Sequence, residues 1–196
     1  MPKTLLRLGL AAAASIIAAA LGQPAQAAPV TPASDTAAPA APVLNDLNTP
    51  VSDHQTSGRA LRLSATQYAA DRQAAGSPLS AAEQARLAAS QCWTWTRSQW
   101  KDNIYGGTLF RINGTINWCQ DGSSVWGGSY SWSTYTNFGW YFDSWSNSPT
   151  GYYNPAHTRY DTVAQAKFCI TWCAGSSYLG QDMWGNANAT YGSSNL

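Results

Sequence analysis

Acidic and catalytic side chains are scarce in the last 105 residues of this sequence, which contain no glutamate and one histidine, His157. Charge is also scarce there, because five lysines and arginines balance five aspartates, and the whole chain of 196 residues carries a net charge of +1. Binding to nucleic acid or anionic lipid depends on clustered lysine and arginine. The sequence therefore predicts no nucleic-acid partner, and we expect neither a metal nor a cofactor.

Long hydrophobic runs are missing as well, apart from one near the amino terminus. The apolar run Leu8–Leu21 follows the positively charged residues Lys3 and Arg7. It precedes the small-x-small sequence Ala25–Ala27, so the three features together are typical of a signal peptide over residues 1–27. The run is shorter than the roughly 20 residues of a membrane span. We therefore expect a secreted, extracellular protein with no membrane span after the signal peptide is cleaved.

Aromatic residues are absent from residues 28–60, where proline, alanine, threonine and serine dominate. This composition offers little apolar surface to offset the conformational entropy that folding would cost. It predicts a disordered linker. We interpret His54, which lies in this linker without ligand-like neighbours, as a solvated side chain.

Residues 61–91 contain two capping-box patterns, one starting at Ser64 and the other at Ser80. Helix-forming residues follow each pattern, and Gly76 and Pro78 separate the two. Two short helices are therefore predicted. Their apolar faces are thin, so they need to pack on other structure. We interpret the segment as a docked extension of the folded domain, with a pro-segment as the alternative.

Residues 92–196 hold all ten tryptophans, all four phenylalanines and nine of the ten tyrosines. In the stretch Thr108–Gly122, apolar and polar residues alternate with a period of two, which is typical of half-buried β-strands. Similar stretches recur between turn-forming residues. The sequence predicts an all-β fold: a small disulfide-bonded antiparallel β-sandwich, with a small β-barrel as the alternative, preceded by the disordered linker and the two short helices.

The dipeptide Asn113-Gly114 lies in the middle of this alternation. Asn-Gly is favoured in tight hairpin turns, where both residues adopt positive φ. A glycine bulge within one long strand is the alternative. The flanking strands have nearly equal length, and we therefore predict a hairpin.

The four cysteines of an exported small domain predict two disulfides. If Cys169 and Cys173 lie on one extended strand, their Cα atoms are roughly 13 Å apart, too far for a bond. This favours the pairs Cys119–Cys169 and Cys92–Cys173. The competing arrangement is a Cys169–Cys173 loop closed on itself, with Cys92–Cys119 as the second bond.

Catalytic patterns are weak. His157 with Asp161 or Asp143 is the only constellation that suggests a small hydrolase. The sequence around Ser129 lacks the second glycine of a nucleophile elbow. A surface histidine is the simpler interpretation, and the sequence favours a protein that is not an enzyme.

Aromatic side chains give the main indication of function. If residues 137–145 form one strand, strict alternation places Tyr141, Asp143 and Trp145 on its outer face. The inward set is then Phe138, Trp140 and Phe142. Two rings beside a carboxylate suit stacking on sugar rings and hydrogen bonding to hydroxyl groups. The further binding candidates, in serine-rich or turn sequences, are Trp132, Tyr152 and Tyr153. Alternatively, these aromatics are core residues or ordinary surface residues.

The composition thus favours a secreted, non-catalytic binding module, with a polysaccharide or cell-envelope component as its partner. An exported protein-interaction or toxin-like protein is the second hypothesis. The small hydrolase built on His157 and an aspartate is the third.

Overall fold

The computed structural model describes residues 45–196, which form two antiparallel β-sheets and two short helices. The elements are β1 (Ser52–Ser57), β2 (Leu61–Leu63), α1 (Ala65–Ala74), α2 (Ala81–Leu87), β3 (Gln91–Asp102), β4 (Thr108–Gln120), β5 (Val125–Thr136), β6 (Trp140–Tyr153), β7 (Arg159–Ile170), β8 (Gly175–Asn186) and β9 (Tyr191–Asn195). The predicted signal peptide and residues 28–44 of the predicted linker lie outside the described residues.

The first sheet has the strand order β1-β3-β4-β5, with β2 pairing on β3 beside β1. The second sheet has the order β6-β7-β8-β9. No ladder joins the two sheets within the part of the chain described, so they pack as a sandwich and do not close into a barrel. The all-β prediction is therefore confirmed.

The core between the sheets follows the period-two alternation. On β4 the inward side chains are buried: Phe110, Ile112, Ile116 and Trp118. On β7 the buried inward set is Ala164, Ala166, Phe168 and Ile170. The rings of Phe110 and Phe168 stack across the sandwich with centroids 4.8 Å apart. Because apolar side chains at every second position share one face, burying that face against the other sheet stabilises both sheets.

Gly114 lies inside β4, and the predicted hairpin at Asn113-Gly114 is wrong. The register of β4 with both neighbours is unbroken there, so the glycine marks no bulge either. A Cβ atom at Gly114 would lie 2.4 Å from the Trp132 ring and 2.6 Å from Sδ of Met183. The glycine is therefore needed because Trp132 and Met183 occupy the space of a side chain.

The Cys92–Cys119 disulfide joins directly opposed residues of β3 and β4, with Cα atoms 4.0 Å apart. The second bond, Cys169–Cys173, closes a short turn with Cα atoms 4.6 Å apart. The favoured pairing is thus wrong and the competing one is correct. Two disulfides indicate an oxidising, non-cytoplasmic environment.

The turn after β7 explains why the distance argument failed. Thr171, Trp172 and Cys173 all have positive φ, between 38° and 60°. Three left-handed residues in succession fold the chain back on itself, so the segment is not extended. Cys173 is therefore brought within bonding distance of Cys169.

Both predicted helices are present, and their capping boxes at Ser64 and Ser80 are formed. Tyr68 of α1 is buried, and its hydroxyl donates a 2.6 Å hydrogen bond to the carbonyl oxygen of Gly127. Leu79, Leu87 and Tyr68 pack on the Cys92–Cys119 disulfide and on Trp126. The helices therefore cover one end of the first sheet's outer face. Within residues 45–196, neither helix has the length and apolarity that a membrane span requires.

The disordered-linker prediction is wrong for residues 52–57, which form β1. The edge of β3 presents unpaired N–H and C=O groups, and a polar segment can satisfy them through its backbone alone. Arg97 of β3 fixes this edge further, because its guanidinium donates to the side chains of Gln55 and Asn195. His54 is consequently not a free side chain: its ring stacks on Trp100 with centroids 5.4 Å apart.

Candidate functional site

The predicted aromatic platform on β6 is not formed, because the strand contains a bulge. Phe142 pairs with Phe168 and Ser144 with Lys167, so Asp143 is an extra residue. The alternation reverses after it. Trp145 therefore returns to the inner side and packs edge-on against Phe142, with centroids 5.2 Å apart.

Tyr141 and Asp143 remain on the outer side, where a neighbouring lysine neutralises the charge of Asp143. Nζ of Lys167 lies 3.2 Å from a carboxylate oxygen of Asp143. This contact, with a hydrogen bond from Ser144, holds the pKa of Asp143 below its usual range. The carboxylate is thus engaged with the protein itself.

The other sequence-predicted candidates do not come together. Trp132 points between the sheets, and its indole N–H donates to Oγ1 of Thr162 at 3.1 Å. Tyr153 is half-buried, and its hydroxyl accepts a hydrogen bond from the amide of Gly128 at 2.6 Å. Tyr152 is exposed on the outer face of the second sheet. Three candidates, Trp132, Trp145 and Tyr153, are therefore interior residues.

His157 is exposed and stacks on Tyr153 with centroids 5.2 Å apart. Within residues 45–196 no carboxylate oxygen lies within 4.0 Å of its ring nitrogens. Asp161 accepts hydrogen bonds from Arg159, and Asp143 is paired with Lys167. The histidine and aspartates of the hydrolase hypothesis are therefore not assembled.

A second serine–histidine–aspartate grouping occurs at the edge of the first sheet. Oγ of Ser52 lies 3.0 Å from Nε2 of His54, and Oδ2 of Asp102 lies 3.3 Å from the same nitrogen. A catalytic triad requires the serine and the aspartate to bind opposite ring nitrogens. This grouping is therefore not a proton relay.

Among the described residues, metal-ligating groups converge only at Asp143, Cys169 and Cys173. The two cysteine sulfurs form a disulfide and the carboxylate is bound to Lys167. Zinc binds thiolate sulfur, which a disulfide does not provide. The cluster therefore does not have the chemistry of a metal centre.

The outer face of the first sheet carries a continuous row of aromatic and cationic side chains. By register the row crosses four strands and consists of His54, Trp100, Arg111 and Tyr135. Cζ of Arg111 lies 5.3 Å from the Trp100 ring centroid and 5.9 Å from that of Tyr135. The guanidinium is thus held between two rings by cation–π attraction.

At the Tyr135 end of this row there is a groove of about 430 Å³, hereafter the Arg111 groove. Its lining residues are Gly107, Thr108, Arg111, Tyr135, Asn137 and Phe138. The volume is in the range of small-ligand sites in proteins. Two of the lining side chains are exposed aromatics, Tyr135 at 47% and Phe138 at 39%.

Phe138 reaches the groove because the chain turns between the sheets at this point. Its φ is 53°, and its amide donates to Oδ1 of Asn137 at 2.8 Å. Its ring lies against Gly107, where a Cβ atom would come within 2.9 Å of it. The predicted inward position of Phe138 is therefore wrong, since β6 begins only at Trp140.

Beyond the row lies an uncharged grid of hydroxyl and amide side chains on the same outer face. Its nine members are Thr94, Thr96, Ser98, Asn113, Thr115, Asn117, Ser129, Ser131 and Ser133. Neighbouring members hydrogen-bond across the strands, as in Ser98–Asn113 at 2.7 Å and Thr96–Thr115 at 2.9 Å. The spacing is about 4.8 Å across strands and about 6.7 Å along them. The Arg111 groove therefore opens beside a regular, neutral, polar surface.

No protein-family model, curated protein or solved structure matches this chain. The candidate site is therefore assigned from its chemistry and geometry alone.

Sequence reasoning missed Arg111 as a site residue, although it stands at an outward position of the β4 alternation. Tyr135 was visible as an aromatic in a serine-rich strand, but its pairing with Arg111 depends on the β4–β5 register. Trp100 and His54 could not be placed together, since no pattern in residues 52–57 predicts a strand. The available signal for Arg111 was its outward position on a strand that has no acidic residue nearby in the sequence.

Proposed function

We propose that this protein is a secreted, non-catalytic module that binds glycan of a cell envelope or another polysaccharide, and that the Arg111 groove is its binding site. One observation carries the proposal: a groove of sugar size is flanked by two exposed rings, Tyr135 and Phe138. The apolar faces of sugar rings stack on aromatic side chains, as other apolar groups do. Asn137, Thr108 and Arg111 offer donors and acceptors for hydroxyl groups.

The polar grid supports a polymeric ligand over a small molecule. A chain bound in the groove continues over a surface whose hydroxyl and amide groups repeat at short, regular intervals. The grid is uncharged, so burying it under a neutral polymer desolvates no ion. Secretion is supported by the two disulfides and the predicted signal peptide.

Binding is tested by retention of the full-length secreted protein on a panel of insoluble polysaccharides and cell-wall preparations. Tyr135→Ala and Phe138→Ala are each expected to weaken retention, by about 1 kcal/mol or about fivefold in affinity. The matched control is Tyr178→Ala, because Tyr178 is 48% exposed, like Tyr135, but lies on the second sheet. Equal retention of all three variants, or no retention of the native protein, would contradict the proposal.

A second candidate function is binding to a protein of the envelope or of a target cell. Trp172 favours it, because this side chain is 94% exposed at the tip of the Cys169–Cys173 turn. A tryptophan held by a disulfide loses little conformational freedom on binding, which suits an interface anchor. If Trp172→Ala abolishes attachment to intact cells while Tyr135→Ala does not, this second function is supported over the first.

A further inference from the structure

We infer that the ligand of the Arg111 groove carries carboxylate groups, as an acidic polysaccharide does, and that the guanidinium of Arg111 binds them. This inference rests on the proposed glycan-binding function and specifies its ligand class. The observation behind it is that Arg111 differs from every other cation of residues 92–196.

The other cations of this region all have acceptors within the protein. Nζ of Lys101 lies 3.0 Å from a carboxylate oxygen of Asp53, and Nζ of Lys167 lies 3.2 Å from a carboxylate oxygen of Asp143. Arg159 binds Asp161. Arg97 has no acidic partner but donates to two side-chain amide oxygens and to the Ser194 carbonyl oxygen at 3.2 Å. The fold thus satisfies each of these cations internally.

Arg111 has no such partner. Within residues 45–196 its guanidinium forms no salt bridge and no hydrogen bond, and its Nε is buried without an acceptor. Burying Nε without an acceptor is costly, because burial removes water that no protein group replaces. Native proteins satisfy nearly all such groups, so an exception calls for an explanation, and beside an open groove a bound ligand provides one.

The surroundings of the guanidinium select the kind of acceptor. Trp100 and Tyr135 flank it, so water is displaced from two sides before a ligand arrives. The groove lining contains one cation and no aspartate, so its local charge is positive. Arginine presents donors in a planar fork that matches the two oxygens of a carboxylate. A single guanidinium in a groove of sugar size therefore fits a singly charged acidic sugar.

The test measures the affinity of the full-length secreted protein for uronic-acid oligosaccharides. Three backbones are used: oligogalacturonate, oligoglucuronate and oligomannuronate, each beside its carboxyl-reduced neutral counterpart. At least one acidic member is expected to bind about tenfold more tightly than its neutral counterpart, since a charge-assisted hydrogen bond contributes that much. Raising the salt concentration should weaken acidic binding only.

Arg111→Gln is expected to lower the affinity for the acidic oligosaccharide to that of the neutral one. Arg111→Lys keeps the charge without the planar fork of donors. Its binding to the acidic oligosaccharide should still weaken with salt, but its preference for the acidic over the neutral oligosaccharide should be smaller. The matched control is Arg62→Gln, which removes one exposed cation outside the groove and should change nothing. Melting temperatures establish that each variant is folded, and if Arg111→Gln is not, the lysine variant and the salt dependence decide.

The outcomes separate this inference from the function on which it rests. If acidic and neutral oligosaccharides bind equally and Tyr135→Ala weakens the binding of both, the inference of a carboxylate-bearing ligand is wrong, whereas the proposed glycan binding stands. If no oligosaccharide binds but the native protein is retained on a neutral insoluble polysaccharide, the carboxylate is likewise overturned. Stronger binding to poly(glycerol phosphate) than to every uronate also overturns it, in favour of a phosphodiester. If nothing binds in either assay, both proposals fail.

Discussion

The two outer faces of the sandwich carry their charges in different ways. On the second sheet, both cations are paired: Arg159 binds Asp161, and Lys167 binds Asp143. On the first sheet, the polar grid is uncharged, and Arg111 has no acceptor among the described residues. A face that satisfies its own charges has little to gain from a ligand, whereas a face with unused donors gains a hydrogen bond on binding. The first sheet is therefore the better binding surface, although both faces expose aromatic rings.

The two outer faces also differ in what lies beside their aromatic rings. The guanidinium of Arg159 lies 4.4 Å from the ring centroid of Trp184 on the second sheet. Because Arg159 also binds Asp161, it is fixed over that ring and covers it. Tyr135 also has a guanidinium near its ring, that of Arg111 at 5.9 Å from the centroid, but Tyr135 and Phe138 border an open groove. Exposure alone thus does not identify a stacking platform, since a neighbouring side chain decides whether a ring face is free.

The largest expected changes in stability distinguish the inward from the outward side chains of β6. Trp140→Ala should lower the free energy of unfolding by about 3–5 kcal/mol, because this side chain is buried against Phe110. Trp145→Ala should cost about 1–3 kcal/mol, since it packs on the core only partly. Tyr141→Ala should cost less than about 1 kcal/mol. Urea unfolding of the three variants measures these values, and a Trp145 variant as stable as the Tyr141 variant would refute the bulge at Asp143.

The disulfides should stabilise the two sheets to different extents. Cys92–Cys119 spans 27 residues, whereas Cys169–Cys173 spans only four. The entropy that a cross-link removes from the unfolded chain grows with loop length, which gives about 3.5 kcal/mol for the first bond and about 2 kcal/mol for the second. Paired Cys→Ala variants, compared by chemical denaturation, should show this order. The reverse order would mean that the left-handed turn at Trp172 depends on its disulfide for more than chain entropy.

A smaller effect concerns the paired charges of the second sheet. Burial, reinforced by the charge of Asp161, raises the pKa of Asp182 although Arg159 opposes the shift. The folded state therefore holds this proton more tightly than the unfolded state. Its contribution to stability is fully present below the unfolded pKa of about 4 and is lost as the pH rises through the folded pKa. Asp182→Asn should raise the melting temperature slightly at pH 7 and leave it unchanged near pH 3.

The converse result would be equally informative. If Asp182→Asn lowers the melting temperature at pH 7, attraction to Arg159 outweighs the desolvation of the carboxylate. The charges of the second sheet would then be more strongly paired than the distance of 4.0 Å between Asp182 and Arg159 suggests.

Most of the fold was predictable because it depends on local pattern. The alternation in Thr108–Gly122 predicted half-buried strand structure, and the two capping boxes predicted two helices. Two of the errors arose where a single residue changes the geometry of the chain: Gly114 admits a neighbouring ring, and Asp143 shifts the register of β6. Neither effect has a signature in residue type alone, because each depends on a partner strand.

The candidate site was less predictable than the fold, and for the same reason. The groove combines Arg111 of β4, Tyr135 of β5 and Phe138 of the connection to the second sheet. Only the strand register brings the first two together, and only the positive φ of Phe138 turns its ring outward. A sequence shows which side chains can bind a sugar, whereas tertiary structure decides which of them meet.

We expect ligand to bind on the outer face of the first sheet, at the Arg111 groove. The most direct test is a nuclear magnetic resonance titration of the isotopically labelled protein with oligosaccharides released from a polysaccharide that retains it. We expect the largest shifts at the amides of Ser133, Tyr135, Asn137 and Phe138 and at the Arg111 side chain. Shifts concentrated at Tyr152 and Tyr178, or at Trp172, with these groove resonances unmoved, would mean that the Arg111 groove is not the binding site.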